Sequence, residues 1–192
     1  MIIMLPIVAV IWYQLCQWRG ISCGYDVPTL PRILFDLIAA IICEEIFFYY
    51  SHRLFHHPYI YKRVHKKHHE WTAPIGLVAV YAHPIEHVLC NIIPVFSGSL
   101  IFGSHLLSVW LWLFVAMWGT TIHHSGYHFP LLLSSEFHDF HHLKFNYCFG
   151  LLGVLDYLHG TDVLFRKSKA SKRHKTLFGI TPLSKSIPDE KQ

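Results

Sequence analysis

Charge is scarce in this 192-residue chain: 15% of residues are Asp, Glu, Lys or Arg, whereas 53% are hydrophobic. Together with a positive mean hydropathy, this excludes an ordinary water-soluble domain and predicts a single-domain membrane protein. Cysteine is sparse and unpaired. Cys16, Cys23, Cys43, Cys90 and Cys148 form no Cys-x-x-Cys motif, and three fall in apolar stretches, so neither a disulfide framework nor a thiolate metal site is expected. A Gly-x-Gly-x-x-Gly fingerprint is also missing, so no nicotinamide or flavin site is recognisable and any redox chemistry takes its electrons from an external donor. The first 18 residues lack the positive start and small-x-small cleavage site of a signal peptide, while Trp12, Tyr13 and Trp18 suit an interfacial belt. They are predicted to form a retained membrane segment.

Apolar stretches run over about residues 1–18, 33–50, 85–103 and 105–122, each near the roughly 20 residues that span a bilayer. The pattern predicts an all-α integral membrane helical bundle with about four membrane segments. Asp36, Glu44 and Glu45 interrupt the second stretch and Pro94 and Gly98 the third, which leaves oblique or re-entrant segments open. Every Lys and Arg except Arg19 and Arg32 lies in residues 51–84 or 123–192. The positive-inside rule places both regions in the cytosol, and a helical hairpin over 85–122 returns the chain to the side it left. The predicted organisation is a membrane segment and connection over 1–32, a histidine-bearing domain over 33–165, and a basic tail over 166–192 that is solvated or touches lipid headgroups.

Histidine is abundant, with 17 residues. Ten fall in four spaced groups: His52 and His56; His65, His68 and His69; His124 and His128; His138, His141 and His142. On an α-helix, residues three and four apart share a face, so each triple is predicted to converge and each pair to align. One tetrahedral zinc takes at most four protein ligands, so ten imidazoles predict a dinuclear site, a histidine-rich di-metal cap at the cytosolic membrane face. Imidazole suits zinc, copper, iron and nickel and does not name the metal. A metal-buffering low-complexity tract would lack the fixed spacing of the His-x-x-His-His triple, which occurs twice.

The runs His52-Arg-Leu-Phe-His56-His57, Tyr61-Lys-Arg-Val-His65-Lys-Lys-His68-His69, Tyr81-Ala-His83-Pro84-Ile-Glu86, His124-Ser-Gly-Tyr127 and His138-Asp-Phe-His141-His142 together resemble the fatty acid hydroxylase/sterol desaturase superfamily. The resemblance covers about residues 33–165, through Leu158-His159-Gly160-Thr161-Asp162, and within the superfamily points to the 4-methylsterol oxidases. It implies a multi-pass endoplasmic reticulum enzyme whose cytosolic site holds two Fe ions, with Zn as the metal that purification could leave there. The ten histidines take the ligand positions, with His57 competing with His56. The implied reaction is O2-dependent oxidation of a membrane lipid, by hydroxylation or demethylation, with electrons from cytochrome b5 or its reductase.

A sterol is the favoured substrate. His128 stands where 4-methylsterol oxidases often carry an acidic residue and fatty acid hydroxylases a histidine. A fatty-acyl or sphingolipid hydroxylase or desaturase therefore stays open, as does a catalytically silent lipid-binding regulator of sterol metabolism. The resemblance also implies a longer N-terminus than the apolar run that opens this chain, so a shortened form is expected. A membrane zinc transporter would carry its ligands within the spans, whereas these cluster outside them. No catalytic residue beyond the metal ligands and no nucleic-acid partner is expected.

Several other polar residues compete for roles around the metals. His83 precedes Pro84, a good first residue of a helix, and is predicted either to cap that helix or to serve the site. Glu45, Tyr49, His52 and His56 share one helix face, so Glu45 is a candidate to accept the second ring N–H of a ligand histidine, with an interfacial glutamate as the alternative. Asp139, Glu136, Asp156 and Asp162 are similar candidates or structural caps. His87 is expected at the headgroups, His105 on the far side of the membrane, His123 and His159 in structural or surface positions, and His174 in the tail.

Overall fold

The computed structural model describes residues 4–132 and 134–189. Helix α1 (Met4–Arg19) leads by an extended connection to α2 (Leu30–Phe55), which carries Pro31 in its first turn, where a missing N–H costs nothing. A short α3 (Pro58–Tyr61) precedes two 3-10 turns, His65–Glu70 and Gly76–Val80. Next, α4 (Pro84–Glu86), a π-helical turn (His87–Ile92) and α5 (Ile93–Phe102) form one rod. Pro94 explains the π turn: in a regular helix its ring would meet the Cys90 carbonyl, and widening the preceding turn relieves that clash. Gly103, at φ +61°, ends the rod in the left-handed conformation that glycine adopts freely.

After α6 (Leu106–His123) come α7 (Glu136–Lys144), α8 (Val154–His159) and three short helices, α9 (Val163–Arg166), α10 (Lys169–Arg173) and α11 (Leu183–Ser186). Among the described residues the only β pairing is an isolated bridge between Pro130 and Leu177. The all-α expectation therefore holds.

The rod packs antiparallel on α2 through small residues. A Cβ at Gly98 would come within 2.6 Å of the Ala40 Cα, so glycine permits this close approach. Arg19 and Arg32, the two basic residues outside the predicted cytosolic regions, close the far end of this pair. Arg19 donates to the carbonyls of Leu100 and Ile101, and Arg32 to those of Phe102 and Gly103, which the helix terminus leaves without partners.

Two helices, Pro84–Phe102 and Leu106–His123, are long and apolar enough to cross a membrane. They account for two of the four expected segments. α1 has 16 residues, and α2, although 26 residues long, includes Arg32, Asp36, Glu44, Glu45 and Arg53, so neither meets that standard. On α6 the large side chains of Trp110, Phe114 and Trp118 are exposed, an apolar surface that suits lipid.

The tail is mostly exposed, with one part docked on the domain. Arg173 is buried, its guanidinium paired with both carboxylate oxygens of Glu136 on α7 and with Asp189. Phe140, Cys148 and Phe165 form an apolar core behind α7, with Ala170 of α10 packed against it. The tail thus braces a histidine-bearing helix from behind.

Candidate metal centre

The four histidine motifs lie at the end of the helices opposite to Arg19 and Arg32. His52 occupies the last turn of α2, and His56 caps it; Pro58 excludes helical geometry at His57 and so stops the helix there. His65, His68 and His69 lie on a 3-10 turn, His124 caps α6, and His138, His141 and His142 lie on α7.

Nine of the ten histidines come together, in two groups. His52, His56, His65, His69 and His141 form the first, and His68, His124, His138 and His142 the second, with the candidate ligand atoms of each group within 4.8 Å of one another. The triples do not converge as expected. Each divides: the outer pair of the first triple, His65 and His69, serves the first group while His68 serves the second. The outer pair of the second triple, His138 and His142, serves the second group while His141 crosses to the first. On α7 the pair four apart shares a face and the residue between points elsewhere. The first triple is not α-helical, so α-helical angles do not describe it.

Hydrogen bonds on the outer ring nitrogens fix the tautomers. His52 Nδ1 donates to the Phe149 carbonyl at 2.7 Å, His68 to Tyr81 at 3.2 Å, His124 to Thr120 at 2.8 Å, His141 to Tyr147 at 2.7 Å and His142 to Trp71 at 3.0 Å. A carbonyl only accepts, so in each ring the proton sits on Nδ1 and the Nε2 lone pair faces inward. His68 and His124 then present two lone pairs to each other at an Nε2 separation of 3.4 Å, with no proton to join them. A cation between such nitrogens converts repulsion into ligation. In the first group, neighbouring Nε2 atoms are likewise 2.9–3.2 Å apart. The donor set fits metals that accept imidazole, iron and zinc among them.

Burial reinforces the neutral state. Desolvation pulls His68 down to about 4 and His142 to about 3, from an ordinary value of 6.5, with neighbouring imidazoles adding to the effect at His142. His124, His138 and His141 are held well below 6.5 by burial first and by their histidine neighbours second. With the proton on Nδ1, His68, His124, His141 and His142 are ready to bind metal at neutral pH without losing a proton from Nε2.

The remaining candidates lie elsewhere. His128 belongs to neither group; its Nε2 donates to the Lys175 carbonyl at 3.0 Å, tying the loop to the tail. His57 and His83 act as helix caps, their Nδ1 atoms accepting from the backbone N–H of Tyr59 and Ile85, which matches the capping alternative for His83. Glu45 does not reach a ring N–H. Its carboxylate accepts instead from the backbone of Leu151 and Leu152 in the loop before α8 and of Val154 and Leu155 in its first turn, where a helix start leaves N–H groups unpaired. Asp139 accepts from Ser135 rather than from a histidine. Asp156 holds Phe149 N and Gly150 N, and so positions the carbonyl that orients His52.

The carboxylate beside a histidine is Glu86, whose Oε1 is 2.7 Å from His65 Nδ1. Its place at the end of Tyr81-Ala-His83-Pro84-Ile-Glu86 was the only sequence signal for this role.

The model of the "Fatty acid hydroxylase" family matches residues 37–161, a span that includes every member of both histidine groups. Fatty acid hydroxylase domain-containing protein 2 of Macaca fascicularis is 56% identical over 177 residues, 92% of this chain and 53% of that protein. The Homo sapiens protein of the same name is 55% identical over 184 residues, 96% of this chain and 55% of its own length. Methylsterol monooxygenase 2-2 of Arabidopsis thaliana is 31% identical over 175 residues, 84% of this chain and 65% of that protein. The chain therefore spans about half the length of its first two relatives. No solved structure matches it. The motif-bearing core of the chain, its two histidine groups and its relatives lead to one conclusion: the chain belongs to the fatty acid hydroxylase family.

Proposed function

We propose that this chain is a membrane oxidoreductase that uses two irons and O2 to oxidise a lipid, with a sterol as the favoured substrate class. The observation that carries this reading is the pair of inward-facing imidazole groups, His52, His56, His65, His69 and His141 opposite His68, His124, His138 and His142. These residues would hold the irons, which when bound supply O2 activation that no side chain here provides. For a hydroxylation the balance is lipid C–H plus O2, two electrons and two protons giving lipid C–OH and water. The carbonyls of Phe149, Thr120, Tyr147, Tyr81 and Trp71 keep the rings oriented throughout.

The substrate reaches the site from the bilayer side. A cavity of about 340 Å³ lies between α2, the rod and α6, bounded by Phe48, Val95, Trp112, Thr120 and Leu151 among others. Thr120 is the residue whose carbonyl holds His124, and the Phe48 ring is 4.9 Å from that of His52, so one end of the cavity adjoins both histidine groups. Such mostly apolar walls exclude water and admit hydrocarbon. A methylsterol monooxygenase among the relatives supports the sterol.

The proposed setting is a multi-pass protein of the endoplasmic reticulum membrane, with α1 and the central part of α2 as its further membrane segments and the histidine end in the cytosol. Exposed Lys62, Arg63, Lys66, Lys67 and Lys144 lie at that end and suit an acidic electron donor such as cytochrome b5, or its reductase. A cleft lined by Arg53, His56, His57 and Asn146 opens next to the first group.

The test supplies iron-loaded protein with cytochrome b5, its reductase, NADH and individual lipid classes, under air and under argon. Oxidised sterol in air alone supports the reading. Equal turnover under argon, or no oxidised lipid from any class despite full iron loading, contradicts it.

A further inference from the structure

Glu44 stands in the same cavity without a partner. It is 9% exposed, and its Oε2 atom is fully buried with no hydrogen bond. A buried carboxyl group with no donor is costly, most of all on a helix among lipid-facing elements, and such residues in membrane helices ordinarily face an interior cavity. Its neighbour Glu45 satisfies four backbone donors, so the two adjacent carboxylates differ: one is saturated by its own chain and the other is not.

Glu44 follows Ile41 and precedes Phe48 on one face of α2, and all three line the cavity. The lining also includes Asn91 and His87 of the π turn, the Asn91 amide standing 3.3 Å from His87 Nδ1. Widened turns of this kind recur at functional sites because they redirect side chains out of helical register. The rest of the wall is mostly hydrocarbon and aromatic.

We propose that Glu44 is the polar anchor of the lipid cavity, accepting a hydrogen bond from the hydroxyl group of an otherwise apolar substrate, with Asn91 as a further polar group of the lining. The proposal rests on the reading of the cavity as the substrate site. A neutral hydroxyl satisfies the orphaned oxygen at small desolvation cost. A site built to bond a hydroxyl rejects the analogue that lacks one, because its own buried acceptor is then left unpaired.

The experiment measures direct binding to the metal-loaded full chain in lipid nanodiscs, using a sterol with a free 3-hydroxyl and its 3-O-methyl ether. The unsubstituted protein should prefer the hydroxyl form by roughly tenfold or more, as expected for a hydrogen bond to a buried carboxyl. Glu44→Gln, which keeps an acceptor, should retain most of that preference. Glu44→Leu should bind both sterols alike, with metal content unchanged as the check on folding. Ala116→Phe, which fills the cavity, should weaken both sterols together.

Indifference of the unsubstituted protein to the ether, absence of binding, or a preference that survives Glu44→Leu would overturn the anchor. Oxidation of lipid without a Glu44-dependent preference would leave the proposed reaction standing and remove the anchor. A Glu44-dependent preference in a protein that never oxidises lipid would do the reverse.

Discussion

The two histidine groups differ in what holds them. The first, with five imidazoles, takes His52 and His56 from the end of α2, whose contact with the rod includes the Gly98–Ala40 approach, His65 and His69 from the 3-10 turn and His141 from α7, and Glu86 of the rod braces His65. The second has four imidazoles and depends on the end of α6, a 3-10 turn and α7, with only carbonyls as its braces and with α7 itself held from behind by Arg173. His68 and His141 cross between them, so each triple ties the groups together. A group with a carboxylate brace is thus coupled to one oriented by carbonyls, and perturbations should spread unequally.

The largest expected effect comes from removing a crossing ligand. His141→Ala takes one donor from the first group while disturbing the helix that carries two of the second. Metal content should fall from about two ions per chain to about one or fewer, because ligand count sets occupancy. Elemental analysis of the purified variant checks this, and near-normal content would break the comparison.

Acid should come next. For His68 and His142 the folded-state pKa lies below the ordinary 6.5, near 4 and 3. The unfolded chain therefore binds more protons across that window, and stability present above pH 6.5 is lost as the pH falls toward 3. Metal occupancy and melting temperature should be flat above about pH 7 and decline below it, as protons compete with metal for the same nitrogens. A titration by absorbance and thermal melting tests this; retention of metal at pH 4 would contradict it.

Glu86→Gln probes the brace unique to the first group. It should weaken metal binding there by about 10- to 100-fold while sparing the second group, as loss of an orienting carboxylate typically does. Competition with a graded chelator would resolve the two affinities, and equal weakening of both would blur the distinction drawn here.

Smallest is His128→Ala. Its ring hydrogen-bonds the Lys175 carbonyl and lies in neither histidine group, so the change should leave metal content intact and cost about 1 kcal/mol or less in stability. Loss of a metal equivalent would return His128 to the ligand set.

These contrasts also mark what the sequence could convey. Histidine spacing located the segments that carry nine of the ten expected ligands, and His52 with His56 and His138 with His142 keep the spacing of four that helical register implies. Which group each triple serves was hidden, because a 3-10 turn over His65–Glu70 and α7 present their rings differently. The orienting carbonyls belong to the backbone, which carries no residue-type signal. Glu45 and Glu86 show the same limit for carboxylates: both lie near a motif, yet only the path of the chain brings one to a ring and the other to the start of α8. The tail looked solvated by composition, and its docked part is held by contacts that composition does not reveal, among them the Arg173–Glu136 ion pair and the backbone pairing of Leu177.

If each of the two groups holds a metal, stoichiometry shows it. Anaerobic purification from iron-supplemented cells, followed by elemental analysis of unsubstituted protein, should give about two metal ions per chain, with zinc able to replace iron at imidazole sites. A value that stays at one or below, with the fold intact and metal in excess, would contradict it.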